Sequence, residues 1–190
     1  MDKQRIRLII KIASKAGELK QVLRTGWVLK GVENAESVAD HTWRMSLLIM
    51  LLAPENLDKL KLLEMNTVHD LGEIGVGDTK WEIGRRVVGS QEAKRRDELK
   101  VMGEIFKGYD NQDKYLKLLK EFNDHQTPEA KFMKQLDKLD MALQALEYEQ
   151  AGYPSEWFGE FWENAEKYLE GQELEPYFRE LERMRKEIQK

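Results

Sequence analysis

Apolar residues recur along this chain at intervals of three and four. That period predicts helices nearly throughout, with no alternating strand and no repeat. The first helix is expected from Lys3 to Val22, with an apolar stripe through Ile6, Ile9 or Ile10, Ala13 and Ala16. Arg24-Thr25-Gly26-Trp27 reads as a turn and Val28 to Glu36 as a loop. A second helix starts at Ser37, a good N-cap, and turns His41, Met45, Leu48 and Leu52 inward until Pro54 stops it. A third covers Leu57 to Leu71. The stretch from Gly72 to Gly89 is the least regular part, and irregular loops on rigid scaffolds are where function concentrates. Helices follow over Ser90 to Phe106 and Asn111 to Asn123. Thr127-Pro128-Glu129 starts a long helix that reaches Ala151, with Gly152 as its cap. Two amphipathic helices, Ser155 to Glu170 and Leu174 to Gln189, end the chain. The expected fold is therefore all-α, a bundle of about seven to nine helices in one domain over residues 1–190.

Composition narrows the chemistry. The chain has 190 residues, no cysteine and a net charge of -4. Disulfides and thiolate metal sites are excluded, so any metal must be held by imidazole and oxygen. Mild acidity leaves no electrostatic footprint for nucleic acid. The N-terminal stretch lacks a signal-peptide core and a membrane-length apolar run, so a cytoplasmic protein with no membrane partner is expected.

The histidines number three. His41 lies on an apolar stripe, where a histidine by itself reads as a core residue. Asp137 alters that reading. Met133 and Met141 lie one turn to either side of it, so it points along an apolar face, where an unpaired carboxylate costs several kcal/mol and needs a cation or strong donors. A Lys or Arg partner would suffice, but Asp140 adds a second acid near that face. His69 and Asp70 are adjacent at a helix end, where a splayed last turn lets both reach one ion. Glu73 follows on their side if helicity persists. Two imidazoles and two carboxylates make a borderline-to-hard site with open positions, suited to Co, Mn, Ni, Zn, Fe or Mg. His125 sits in a polar junction and takes no role.

The ordered motifs Glu36-Ser37-Val38-Ala39-Asp40-His41, Val68-His69-Asp70-Leu71-Gly72-Glu73, Gly77-Asp78 and Lys131-Phe132-Met133-Lys134-Gln135-Leu136-Asp137 resemble HD-domain phosphohydrolases. Within these they are most similar to the YfbR-type 5′-deoxynucleotidases and their eukaryotic and archaeal relatives. The resemblance spans residues 20–150. It implies an all-α bundle, commonly dimeric, that removes phosphate from deoxyribonucleoside 5′-monophosphates. It also implies one divalent metal on His41, His69, Asp70 and Asp137, with Glu73 in the catalytic acid/base position and Asp78 as the second acid near the phosphate. Which acid plays which part stays open. Arg24 and Trp27 resemble an Arg and Trp that meet the nucleotide; in bacterial members the two are adjacent, whereas Thr25-Gly26 intervenes here.

Other expectations compete. Lys80, Arg85 and Arg86 either close over an anionic substrate or form a solvated loop. Trp157, Phe158, Phe161 and Trp162 read as core or as a homodimer interface rather than a base-stacking platform. The alternatives in function are a cyclic-nucleotide or dinucleotide phosphodiesterase, a nucleoside polyphosphate hydrolase, or a regulatory module whose metal is structural.

Overall fold

Helix caps written into the sequence set where the elements begin in the computed structural model, which describes residues 2–78, 82–83, 86–87 and 90–188. Helix α1 spans Lys3–Ala16, with a tight 3-10 turn at Gly17–Gln21, and α2 is a short helix at Thr25–Leu29. The expected turn at Arg24 to Trp27 is thus the start of a helix. Helix α3 (Val38–Leu52) opens with a capping box: Ser37 Oγ accepts from the Asp40 N–H, and the Asp40 carboxylate accepts from the Ser37 N–H. Helix α4 (Lys59–His69) follows, capped by Asp58. Then come the four-residue α5 (Glu73–Val76), α6 (Gln91–Ile105), α7 (Gln112–Asp124) and α8 (Pro128–Gln150). Thr127 accepts from the Ala130 N–H at the start of α8, with Pro128 inside the first turn, where its missing N–H costs nothing. A 3-10 turn at Ser155–Trp157 leads to α9 (Gly159–Leu169) and α10 (Glu175–Ile188).

Within the irregular stretch, Glu82–Ile83 (β1) and Arg86–Val87 (β2) form a minimal antiparallel ladder, pairing Glu82 with Val87. Lys80 and Arg85 lie outside the described residues, and of Arg86 only the backbone is described.

Helix α8 is the hub. Helices α3, α4, α7, α9 and α10 all pack on it, and residues from Ala130 to Glu149 are buried on nearly every turn. The aromatic tail folds back into this core: Phe158, Phe161 and Trp162 are buried, with Phe158 and Phe161 against Trp27. Burying each such side chain is worth about 1.5–3 kcal/mol.

Most of the stripe expected on α1 faces outward, Ala16 excepted. Ile6, Ile9 and Ile10 are exposed, and the helix packs through Ile12 and Ala16 before Leu19 enters the core. Every position from Ile6 to Ile12 except Arg7 and Lys11 is apolar, so two faces of this helix carry stripes, and periodicity alone cannot choose between them. No helix among the described residues is long and apolar enough to cross a membrane.

Candidate metal centre and substrate pocket

Three elements bring the expected ligands together. His41 projects from the first turns of α3, His69 ends α4, and Asp137 lies mid-way along α8. Asp70 follows α4 with φ −109° and ψ 4°, outside the helical well, and this turn swings its carboxylate back beside His69. One ligand atom each from His41, His69 and Asp70 lies within 4.8 Å of the others. Asp137 Oδ1 stands 3.8 Å from His41 Nε2, and Asp70 Oδ2 stands 3.7 Å from it.

The two imidazoles are held in one tautomer. His69 Nδ1 donates to the Asn66 carbonyl at 2.7 Å, because a carbonyl can only accept. His41 Nδ1 donates to Asp140 Oδ2 at 2.7 Å. Each Nε2 therefore presents a lone pair, and both atoms are buried without a hydrogen-bond partner. His69 Nε2 is 3.1 Å from Asp70 Oδ2, but two acceptors facing each other gain nothing without a cation between them. A buried, unpaired polar atom costs roughly 1–3 kcal/mol. Two of them aimed at two carboxylates fit a divalent metal, whose histidine ligands commonly donate their other nitrogen to a carboxylate or carbonyl.

The surrounding charges keep the acids ionised. Burial works to raise the Asp137 carboxyl, but Lys134, 2.8 Å from Oδ2, and Lys138, at 3.5 Å, hold it well below the usual range. The lysine partner considered for Asp137 thus exists, on the oxygen facing away from His41. Burial also lowers Lys138 to about 8, aided by Lys134 and Arg24 and opposed by Asp137. Asp140 is kept low, against its burial, by His41, Arg44 and Arg24. Arg44 reaches from α3 to Asp140 Oδ1 at 2.6 Å and Glu147 at 2.6 Å, and also bonds Gln144, so it clamps α3 to α8.

Arg24 and Trp27 meet on one carboxylate. Glu36 Oε1 accepts from Arg24 Nη1 at 2.7 Å and from Trp27 Nε1 at 2.9 Å. A short backbone pairing aligns them, with the Arg24 N–H on the Glu36 carbonyl and the Val38 N–H on the Val22 carbonyl. Burial disfavours the Arg24 charge, but Glu36, Asp140, Asp137 and Asp78 outweigh it and raise its pKa. Trp27 is 1% exposed, so only its edge borders the pocket.

That pocket, of about 250 Å³, is lined by Arg24, Trp27, Asp70, Glu73, Asp78 and Asp137, with Phe161 and Met141 as apolar walls. Glu73 is buried at the start of α5, and its Oε1 accepts from Lys94 at 2.7 Å. Burial, together with Asp70 and Asp78, pushes its carboxyl well above the usual range, and Lys94 opposes them. Asp78 Oδ2 accepts from the Thr25 N–H at 2.6 Å, its carbonyl accepts from the Thr25 hydroxyl, and its Oδ1 is 4.0 Å from Lys94.

A match to the HD domain family model covers residues 16–175. The chain belongs to the HD-domain family. Human 5′-deoxynucleotidase HDDC2 is 37% identical over 145 residues, 75% of this chain and 69% of that HD protein. The 5′-deoxynucleotidase hdd1 of Schizosaccharomyces pombe is 39% identical over 137 residues, 69% and 67% of the two chains. Among solved structures, a conserved hypothetical protein from Pyrococcus furiosus superposes with a TM-score of 0.74 at 35% identity, over 93% of this chain and 99% of that one.

Four charged residues of the site, Lys94, Arg44, Lys134 and Lys138, are not singled out by the sequence motifs. Local signals existed for all of them. Lys94 and Glu98 are spaced i, i+4, Arg44 is a lone cation near the start of an apolar helix, and Lys134 and Lys138 flank Asp137 by three residues and one. Phe161 was read as core or interface and is also a pocket wall; no local pattern separates these roles.

Proposed function

We propose that this chain is a metal-dependent 5′-deoxynucleotidase that converts deoxyribonucleoside 5′-monophosphates to deoxynucleoside and phosphate. The observation that carries the proposal is the pair of unpartnered imidazole nitrogens facing Asp70 and Asp137, two carboxylates that line the same pocket as Glu73 and Asp78. The names of the similar proteins supply the substrate class. His41, His69, Asp70 and Asp137 would hold one divalent ion, and the imidazole and carboxylate donors admit Mn, Co, Ni, Zn, Fe or Mg. When bound, such an ion supplies Lewis acidity and neutralises phosphoryl charge.

The chain's own residues divide the remaining work. Asp78 lines the pocket walled by Phe161 and Met141, on the side given to the nucleoside, so it is placed to protonate the departing 5′-oxygen. Glu73 also borders a second cavity on the far side of the centre, so it takes the proton of the attacking water. Lys94 lies between the two acids and aims both inward. Arg24 offers its guanidinium to the phosphate. Trp27, pinned by Glu36 and covered by Phe161, stiffens the pocket from behind.

The proposal includes a homodimer, and its interface is moved from the aromatic tail, which is buried within the chain, to α3. Its outward stripe, Trp43, Leu47, Met50 and Leu51, is 69, 42, 64 and 68% exposed, with Leu60 beside it at 66%. A large apolar side chain presents roughly 150–250 Å² when bare, so these five offer on the order of 500 Å² toward the ~800 Å² that each partner of a stable interface buries. The spacing i, i+4, i+7, i+8 is that of one helix packing on another, and with no charge in the stripe a second copy of α3 is its natural complement.

The test is phosphate release from 5′-dNMPs, 5′-NMPs, 3′-dNMPs and a cyclic dinucleotide, with metal-stripped protein and single metals added back. Release from 5′-dNMPs alone is expected. Glu73→Gln should lose it by about 10²–10⁴-fold while retaining metal by elemental analysis. No release from any monophosphate would overturn the proposal.

A further inference from the structure

Beyond the nucleoside pocket, the ligand residues border a second, smaller cavity of about 160 Å³. Asp70, Glu73, Lys94 and Asp137 are common to both, so the proposed metal centre forms the partition between them. The far cavity is finished by Arg95 of α6, Asn123 and His125 at the end of α7, and Lys134 of α8, with Glu98 as a further acid and Phe122 as an apolar wall. This wall is rich in donors. Asn123 Nδ2 and His125 Nε2 are buried without a hydrogen-bond partner. Arg95 is half-buried, and among the described residues no carboxylate pairs with it, whereas its neighbour Arg96 pairs with Asp97 on the exposed face. Lys134 and Arg95 make the field at His125 positive.

The reaction itself selects a ligand for such a wall. In an in-line displacement the attacking water enters opposite the leaving oxygen. The new O–P bond forms on the far side, the P–O5′ bond breaks, the 5′-oxygen takes a proton, and phosphorus moves away from the nucleoside. With the nucleoside on the Phe161 and Met141 side of the centre, the phosphoryl group travels toward the far cavity.

We propose that this cavity is a product-side anion subsite, in which Arg95, Asn123 and His125 receive the released orthophosphate. The inference rests on the deoxynucleotidase reading for the direction of travel. At about 160 Å³ the cavity suits orthophosphate in size and is smaller than the pocket of about 250 Å³ on the nucleoside side.

The probe is orthophosphate, applied to metal-loaded full-length protein in two ways: as an inhibitor of 5′-dNMP hydrolysis and as a titrant in calorimetry. Arg95→Gln should raise both its inhibition constant and its Kd about tenfold, the scale of one charge-assisted hydrogen bond, and shift the KM for dNMP by no more than about threefold. Arg96→Gln, on the exposed face, should change neither constant. Asn123→Leu serves as a second variant, with smaller expected effects in the same direction, should Arg95→Gln melt early. Orthophosphate affinity unchanged in both variants would overturn the subsite. An equal rise in KM and in the inhibition constant would also overturn it, since the cavity would then hold the phosphoryl group of the substrate. If the parent protein hydrolyses no dNMP, the functional reading fails by itself, and the calorimetric difference between parent and Arg95→Gln still decides whether an anion binds here.

Discussion

Asp140 shows how a residue can serve the centre without facing it. It is fully buried, receives the proton side of His41 on one oxygen and Arg44 on the other, and so fixes which nitrogen of His41 points at Asp70 and Asp137. Asp140→Ala should weaken metal affinity by about 10–100-fold, read by competition with a chromophoric chelator. Asp140→Asn keeps an oxygen that can accept from His41 Nδ1 and should lose much less. Equal affinities in all three proteins would show that the imidazole is oriented by something else. His125 tests a different balance. Its pKa is lowered, first by burial and then by Lys134 and Arg95. The unfolded chain therefore binds that proton more readily, so this residue costs stability as pH falls through about 6.5 and costs nothing well above it. His125 caps α7 with φ 51°, a conformation asparagine tolerates. His125→Asn should then flatten the loss of melting temperature between pH 7 and 5, and a slope identical to the parent's would refute this.

At the scale of elements, the site depends on how closely α5 approaches α6. Gly72 has ordinary helical angles, φ −62° and ψ −23°, so its lack of a side chain serves packing rather than backbone freedom. A Cβ there would lie 2.8 Å from Glu98 Cα and 2.9 Å from the Glu98 carbonyl oxygen. Neither atom belongs to a flexible side chain, so α6 would have to move, taking Lys94 from Glu73. Gly72→Ala should cost about 1–3 kcal/mol in chemical denaturation. It should also reduce activity more than that loss of stability explains. Full activity with parent-like stability would mean that the two helices separate freely. Gly26 has a similar office on the nucleoside side, where a Cβ would come 3.0 Å from the Phe161 ring.

At the scale of the whole molecule, α3 links interior and exterior. One stripe carries His41 into the centre, and the opposite one leaves Trp43, Met50 and Leu51 bare. Trp43→Glu should convert a dimer to a monomer in light scattering without lowering the monomer's helix content. A parent protein that is already monomeric at high concentration would remove the basis for the interface.

Much of this molecule is legible in the sequence because it is local. Caps at Ser37, Thr127 and Pro128 act within one helical turn, so helix starts follow from residue types and spacing. The inward histidine at 41 and the inward acid at 137 follow from which neighbours are apolar. Other features depend on partners distant in the chain. Arg24 meets Glu36 and Asp140 across 12 and 116 positions, and Lys94 finds Glu73 across 21. Which isoleucine face of α1 is buried, and whether Phe161 lines a pocket or a core, depend on what packs opposite them. Side-chain pattern determines what each segment can bury and hold; only tertiary packing decides against what, because burial and charge pairing belong to pairs of surfaces and not to either one alone.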